Sequence, residues 1–237
     1  MKKLILSIAL CCTAMNFYAQ NANHGQLINE GKAALEAKNY QEAYTKFSTY
    51  LTQTNNQDSV IAFNCGVCAD KIKKPAEALK YFDIAVQKKY NLVNAYIGKA
   101  NALKNLKKND EYIATLKEGL EANPGDKALT KLYANYYVNQ GIMAQKSGKT
   151  SAAEDAFKQA ISIQENNMNA LNSLGSLYYS KGAATLKTDA EKAKIEFKEA
   201  KGYLDKLIPL LSASNPAQKK MKDNAKTMLN FIDTQLK

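Results

Sequence analysis

The segment Asn169-Ala170-Leu171-Asn172-Ser173-Leu174-Gly175, followed by Tyr178, sets large apolar residues at helical spacing beside one glycine. Leu171, Leu174 and Tyr178 fall on one helix face, and Gly175 leaves a gap on that face where another backbone can approach. A small residue in the same setting recurs upstream at Gly31, Gly66, Ala100 and Gly141, so that the five positions are spaced by 35, 34, 41 and 34 residues. A second pattern follows each of them: Ala43/Phe47/Tyr50, Ala78/Phe82/Ala85, Tyr112/Leu116/Gly119, Ala153/Phe157/Ala160 and Ala193/Phe197/Ala200. It begins 12 residues after the small residue in the first four copies and 18 after it in the fifth. Each copy therefore predicts two antiparallel helices. The Gly or Ala of the first lets the second come close, and the Phe or Leu of the second fills the space between neighbouring pairs. One pair cannot bury its apolar face alone, so the pairs must stack into a solenoid.

A phased 34-residue unit of this kind resembles the tetratricopeptide repeat (TPR). The resemblance rests on the Asn169–Gly175 segment with Tyr178, on the Lys38-Asn39-Tyr40-Gln41-Glu42-Ala43 turn into a second helix, and on the terminal proline of Glu121-Ala122-Asn123-Pro124. It covers roughly residues 24–201. It implies an all-α, right-handed solenoid over 20–211 with five helix pairs at 24–57, 59–92, 93–126, 127–167 and 168–211. Beyond it, Asn215-Pro216 reads as the cap and first turn of a last helix over 215–237. That helix carries Met221, Ala225, Met228, Leu229 and Ile232 on one stripe, as a solenoid cap should. Three departures modify the expectation. Tyr112 stands where a small residue belongs and predicts a splayed third pair. Seven extra residues before Gly141 predict a longer first helix starting near Asp126 in the fourth pair. About six extra residues between Tyr179 and Ala190 predict a longer turn in the fifth.

The chain has 237 residues, 46% apolar and 23% charged, an ordinary balance for a globular protein. All 33 basic residues are lysine, His24 is the only histidine, and tryptophan is absent. This composition removes nucleophile–histidine catalysis, histidine-based metal sites and bidentate arginine recognition of phosphate. Residues 1–19 read as a secretory signal peptide: Lys2 and Lys3, an apolar run from Leu4 to Met15, and Ala19 at the cut. Leu10 before Cys11 is too bulky for a lipoprotein cut. Cleavage removes two lysines and no acid, lowering the net charge of +11 by two. No other stretch has eighteen consecutive apolar residues, so the expectation is an exported, periplasmic or secreted protein that is not an integral membrane protein.

The resemblance further implies that residues of each first helix line a concave groove for a peptide or helix of another protein. Carried over position by position, the groove candidates are Ile28, Lys32 and Leu35 in the first repeat, and Val60, Phe63 and Val67, with Asp70, in the second. The third supplies Ile97, Asn101 and Lys104, with Asn94. The fourth supplies Asn135, Val138 and Ile142, with Gln145, and the fifth Asn169, Asn172 and Tyr179, with Ser176. Such a surface shades from apolar to amide-rich, with apolar pockets for affinity and amides for backbone. The clamp with which some family members hold a chaperone's terminal carboxylate is not matched. Only Asn64 fits it, while Ile28, Lys32, Asn94 and Gly98 replace the other positions.

Cys65-Gly66-Val67-Cys68 is a C-x-x-C pair in a chain expected to be exported. It lies mid-helix at positions that the family fills with buried residues, so core packing is expected; a disulfide or redox role is the alternative. Between Asp83 and Asp110 six lysines occur without an acid, near Tyr90 and Tyr96. Export and the lack of arginine argue against nucleic acid; a lysine-rich solvated face is the plain reading, and an anionic envelope polymer or lipid head group is the better charged partner. His24 is expected to be exposed near the mature N-terminus. G-x-x-x-x-G-K, G-x-S-x-G and H-E-x-x-H are all absent. Asp110-Glu111 and Glu154-Asp155 sit at helix starts, where the helix dipole favours them. The sequence thus points to a non-enzymatic, cofactor-free interaction scaffold of the cell envelope. Binding an anionic envelope polymer through the lysines is the first rival function, and thiol–disulfide chemistry at Cys65 and Cys68 the second.

Overall fold

The computed structural model describes residues 23–237. The signal peptide expected at 1–19, with Cys11 and Cys12, lies outside the described residues. Among the described residues every regular element is helical. They divide into two compact units, one ending at Asp126 and one spanning Lys127–Lys237.

The first unit holds three pairs: α1 (23–36) with α2 (Tyr40–Gln53), α3 (Ser59–Lys71) with α4 (Pro75–Gln87), and α5 (Leu92–Asn105) with α6 (Asn109–Ala122). The second holds α7 (Lys127–Lys146) with α8 (Thr150–Ile163), α9 (Met168–Thr185) with α10 (Ala190–Leu207), and α11 (Pro216–Gln235) after a short 3-10 turn at Ile208–Leu210. The starts follow from local chemistry. Asn39, Asp58, Asn167, Asp189 and Asn215 each accept a hydrogen bond from a backbone N–H of the first turn, and Pro75 and Pro216 open helices where a missing N–H costs nothing. The turns inside the first four pairs share one geometry. Lys38, Lys73, Lys107 and Gly148 take φ of 59, 60, 60 and 71°, and the next residue's N–H returns to the last helical turn at 2.8–3.0 Å.

Close packing inside the first, second, fourth and fifth pairs rests on a glycine against a ring. An added Cβ would lie 2.5 Å from the Phe47 ring at Gly31 and 2.5 Å from Phe157 at Gly141. Phe82 is held from both sides, by Gly66 of its own pair and by Gly98 of the next, where a Cβ would stand 2.5 Å away. Phe47 and Phe157 are fully buried; burying a phenylalanine contributes about 1.5–3 kcal/mol. In the first unit Phe47, Leu51, Ile61 and Tyr81 build one core around Cys65 and Cys68, and Phe82 with Ala69, Ala78 and Ala102 a second. In the second unit one core runs from Val138 and Phe157 through Leu174 and Phe197 to Leu229 and Ile232.

Two expectations are corrected. The third pair is not splayed: α5 packs along α6, and the Tyr112 side chain is buried with Leu116. The extra residues of the fifth repeat lengthen its turn by only one, to the four-residue stretch 186–189 against three residues in the other pairs. The others lengthen α9, because Lys181-Gly182-Ala183-Ala184-Thr185 continues the helix up to the Asp189 cap of α10. The glycine that faces Phe197 is therefore Gly182, and Gly175 faces Leu204 two turns along α10. The extra residues of the fourth repeat lie within the 20-residue α7, as expected.

Between α8 and α9 a polar bridge lies beside the apolar core. Glu154 of α8 accepts hydrogen bonds from the Tyr178 hydroxyl at 2.5 Å, from Lys158 Nζ at 2.6 Å and from Lys181 Nζ. Lys181 also lies over the Tyr178 ring, 4.8 Å from its centroid, and Tyr178 stacks on Tyr203 of α10 at 5.8 Å. Burial raises the Glu154 carboxyl, but the three donors outweigh it and hold it down at about 2. The helix-dipole role assigned to Glu154 from sequence is thus replaced by a bridge that fixes the rotation of α9.

Three outcomes follow. Gly141→Ala should lower stability by about 1–3 kcal/mol, because the Phe157 ring must shift. Gly202→Ala, mid-helix with nothing within 4 Å of the added Cβ, should raise it by about 1 kcal/mol. Denaturant titrations monitored by circular dichroism check both signs. A carboxyl held below its usual value stabilises fully above about pH 4.5 and loses that contribution as pH falls towards 2. Glu154→Gln should therefore cost about 1–2 kcal/mol at neutral pH, and the gap from wild type should close as titrations are repeated down to pH 2.

Candidate interaction surfaces on the first helices of the pairs

In the first unit α3 and α5 touch one another directly, so their stripes are neighbours. Val60 is exposed, at 39%, while Phe63, Val67, Ile97 and Asn101 are half-buried and Lys32 and Lys104 exposed. The apolar candidates are only partly available. Ile28 and Leu35 pack on the Phe47 core, Val67 packs on the Phe82 core, and Phe63 meets Phe82 and Tyr90 edge-on at 5.7 and 5.8 Å. In the second unit Ile142 is exposed at 36%, with Met143 beside it at 62%. Val138 departs from the expectation: at 3% exposure it belongs to the core with Phe157, because α8 closes over that side of α7.

The amide positions behave differently. Asn101, Asn135, Asn169 and Asn172 make no side-chain hydrogen bond among the described residues, whereas Asn39, Asn167 and Asn215 are committed as caps. Asn169 is exposed and the other three half-buried. An uncommitted amide on a helix face offers a donor and an acceptor together, which matches a peptide group.

Tyr179 is covered by the chain itself. Phe231 of α11 meets its ring at 5.7 Å and also contacts Phe197 at 5.9 Å. One to two turns earlier, α9 and α11 border a shallow, open cleft of about 360 Å³ lined by Asn172, Ser176, Asn224, Thr227 and Met228. The α11 side of this cleft was not foreseen. Its stripe of buried Ala225, Leu229 and Ile232 predicts a cap, and the sequence carries no signal that the neighbouring face looks onto α9.

The remaining candidates sit in the following settings. Cys65 and Cys68 are fully buried and unpaired. Burial pushes the Cys68 thiol up to about 11 and, with the neighbouring Cys68, pushes the Cys65 thiol higher still. A redox thiol needs the opposite shift and an open approach. The acid-free lysine run is not acid-free in space: Lys99 pairs with Asp83 at 2.7 Å, Lys108 with Glu111 at 2.9 Å, and Lys88 bonds the Gln57 amide at 3.1 Å. Tyr96 is buried, and Tyr90 turns to Phe63, so neither offers a free ring for stacking. His24 is half-buried, edge-on to Tyr50 at 5.5 Å, rather than exposed. No described helix is long and apolar enough to cross a membrane. With the chain lacking residues 1–19, Cys65 and Cys68 should resist a water-soluble disulfide reagent until denaturant unfolds the first unit. Stoichiometric labelling of the native protein would reopen the thiol function.

No family model matches the chain, and no curated protein matches it. Among solved structures, a TPR repeats protein from Bacteroides fragilis NCTC 9343 is 46% identical, over 86% of this chain and 98% of its own, with a TM-score of 0.67. A crystal structure of MamA is 20% identical over 78% and 94% of the two chains, with a TM-score of 0.45. YrrB, described as a TPR protein with an unusual peptide-binding site, is 15% identical over 85% and 90%, with a TM-score of 0.48. The phased helix pairs, the glycine–ring contacts within them and the 46% identity over nearly the whole of that chain make this protein a member of the TPR repeat proteins.

Proposed function

We propose that the protein is an exported, non-enzymatic adaptor that binds a peptide or helix of another protein along the first-helix faces of its repeats. One observation supports this reading: each unit leaves an apolar side chain exposed on those faces, Val60 in the first and Ile142 in the second, alongside amides with no side-chain hydrogen bond among the described residues. Apolar contact supplies affinity and free amides supply backbone recognition, the combination that suits a peptide ligand. The signal-like N-terminus supports export and an envelope setting. No ligand-bearing cofactor enters this reading, and no nucleic acid.

Binding of an anionic envelope polymer through lysine is the rival that salt can separate, since surface charge attraction fades as ionic strength rises. The local pairing of Lys99 and Lys108 weakens that rival. Immobilised mature chain should capture a protein from solubilised cell envelope at both low and high salt. The Val60→Glu/Ile142→Glu variant, unchanged in helicity, should lose it by about tenfold or more. Equal capture by the variant would sink the first-helix surface, and capture confined to low salt would favour the polymer.

A further inference from the structure

A glycine inside a helix costs about 1 kcal/mol against alanine, so a mid-helix glycine needs a reason. Gly31, Gly66, Gly98, Gly141, Gly175 and Gly182 have one, since each lies against a ring or a leucine of another helix. Gly202, in the second half of α10, is exposed, and nothing lies within 4 Å of a Cβ added there. The buried stripe of α10 is Ala193, Phe197, Ala200, Leu204 and Leu207, and Gly202 lies on the opposite side of the helix. There it lines a shallow, open hollow of about 240 Å³ with Lys198, Glu199, Tyr203 and Lys206. Two turns before Gly202, on the same outer line, stands Ile195 at 63% exposure.

The charges on this face are arranged about the glycine. Lys198 and Asp205, four residues before it and three after, fall about 40–60° to one side of it. Glu199 and Lys206, three before it and four after, fall about 40–60° to the other. Each flank therefore carries one charge of each sign, placed at opposite ends of the hollow. Lys198, Glu199 and Lys206 form no ion pair among the described residues, and Asp205 pairs with Lys201 of its own helix at 3.4 Å.

A face of this kind is complementary to itself. A two-fold rotation that crosses two copies of α10 antiparallel at Gly202 keeps each flank on its own side and reverses its direction. Lys198 of one copy then faces Asp205 of the other, Glu199 faces Lys206, and each pair occurs twice, as an isologous contact requires. The two glycines meet at the crossing, where their missing side chains let the backbones approach. Ile195 of each copy reaches the exposed Pro209 of the other, in the turn seven residues beyond Gly202.

We infer that the protein forms a two-fold homodimer through the outer face of α10, antiparallel at Gly202. Because α10 is the second helix of its pair, the contact uses none of the first-helix residues proposed for binding, and the dimer carries two sets of them. One helix from each copy makes a small interface, so association is concentration-dependent.

The test is sedimentation velocity of the chain lacking residues 1–19 over about a hundredfold range of concentration. A reversible monomer–dimer equilibrium is expected, weaker at high salt because the flanks are charged. Gly202→Leu, which meets no atom of its own chain, should keep its helicity by circular dichroism and remain monomeric throughout. Lys198→Glu should weaken the dimer by about tenfold or more through like charges. The exchange Lys198→Glu/Asp205→Lys should restore it, since the two positions face one another across the two-fold. In a parallel dimer Lys198 would instead face Glu199, and the exchange would leave like charges on both flanks. A chain that stays monomeric at every concentration overturns the inference, as does a dimer untouched by Gly202→Leu. A dimer lost with Lys198→Glu and not recovered by the exchange overturns the antiparallel crossing. The outcome is separate from envelope capture: Val60→Glu/Ile142→Glu should dimerise as wild type does, and Gly202→Leu should still capture a partner.

Discussion

The contact on which the rest depends is a glycine of one helix pressed against a large side chain of its partner. Gly31, Gly66, Gly141 and Gly182 each receive a phenylalanine of the following helix, at a distance that leaves no room for a Cβ at Gly31, Gly141 and Gly182 and only a tight fit at Gly66. A pair packed this closely buries its inner face completely, so the outer faces of its first helices become the surface that either meets the next pair or remains open. Phe82 shows both uses at once, held by Gly66 within its pair and Gly98 in the next. The stack is thereby built from short-range contacts between neighbours, and stability accumulates pair by pair.

Function then concerns what the first helices carry on the side that the stack does not consume. Most apolar residues there are partly drawn into packing. Ile28, Leu35 and Phe63 lean on core rings, and Val138 is buried outright. The amides are not drawn in, since an apolar core offers them no partner. The surface left over is accordingly more polar than the sequence stripe implies, with Val60 and Ile142 as its exposed apolar points. The Glu154 bridge matters here because its bonds to Tyr178 and Lys181 hold one side of α9 and so decide which stripe of that helix stays open.

Much of this was legible in the residues. The repeat length and the small-residue phase located five helix pairs and the last helix, and Asn39 and Asn215 marked helix starts. What failed did so where position in the repeat was taken for position in space. Gly175 matches the pattern, yet Gly182 faces Phe197, because seven residues are two turns and both glycines fall on the same side of a lengthened α9. Lys99 belongs to an acid-free run, yet it finds Asp83 on the preceding helix sixteen residues away. Tyr112 breaks the small-residue rule, yet it is buried without opening its pair.

The sequence by itself determined the all-α class, the pairing of consecutive helices and the amphipathic side of each. Those follow from periodicity and from local capping chemistry, which act over a few residues. Only the tertiary structure decided that Lys99 meets Asp83, that Glu154 bridges two pairs, and that Asn172 and Asn224 share one cleft. Each of these depends on the rotation of one helix against another. Rotation is set by the volumes that meet across the interface, and no single stretch of chain carries that information.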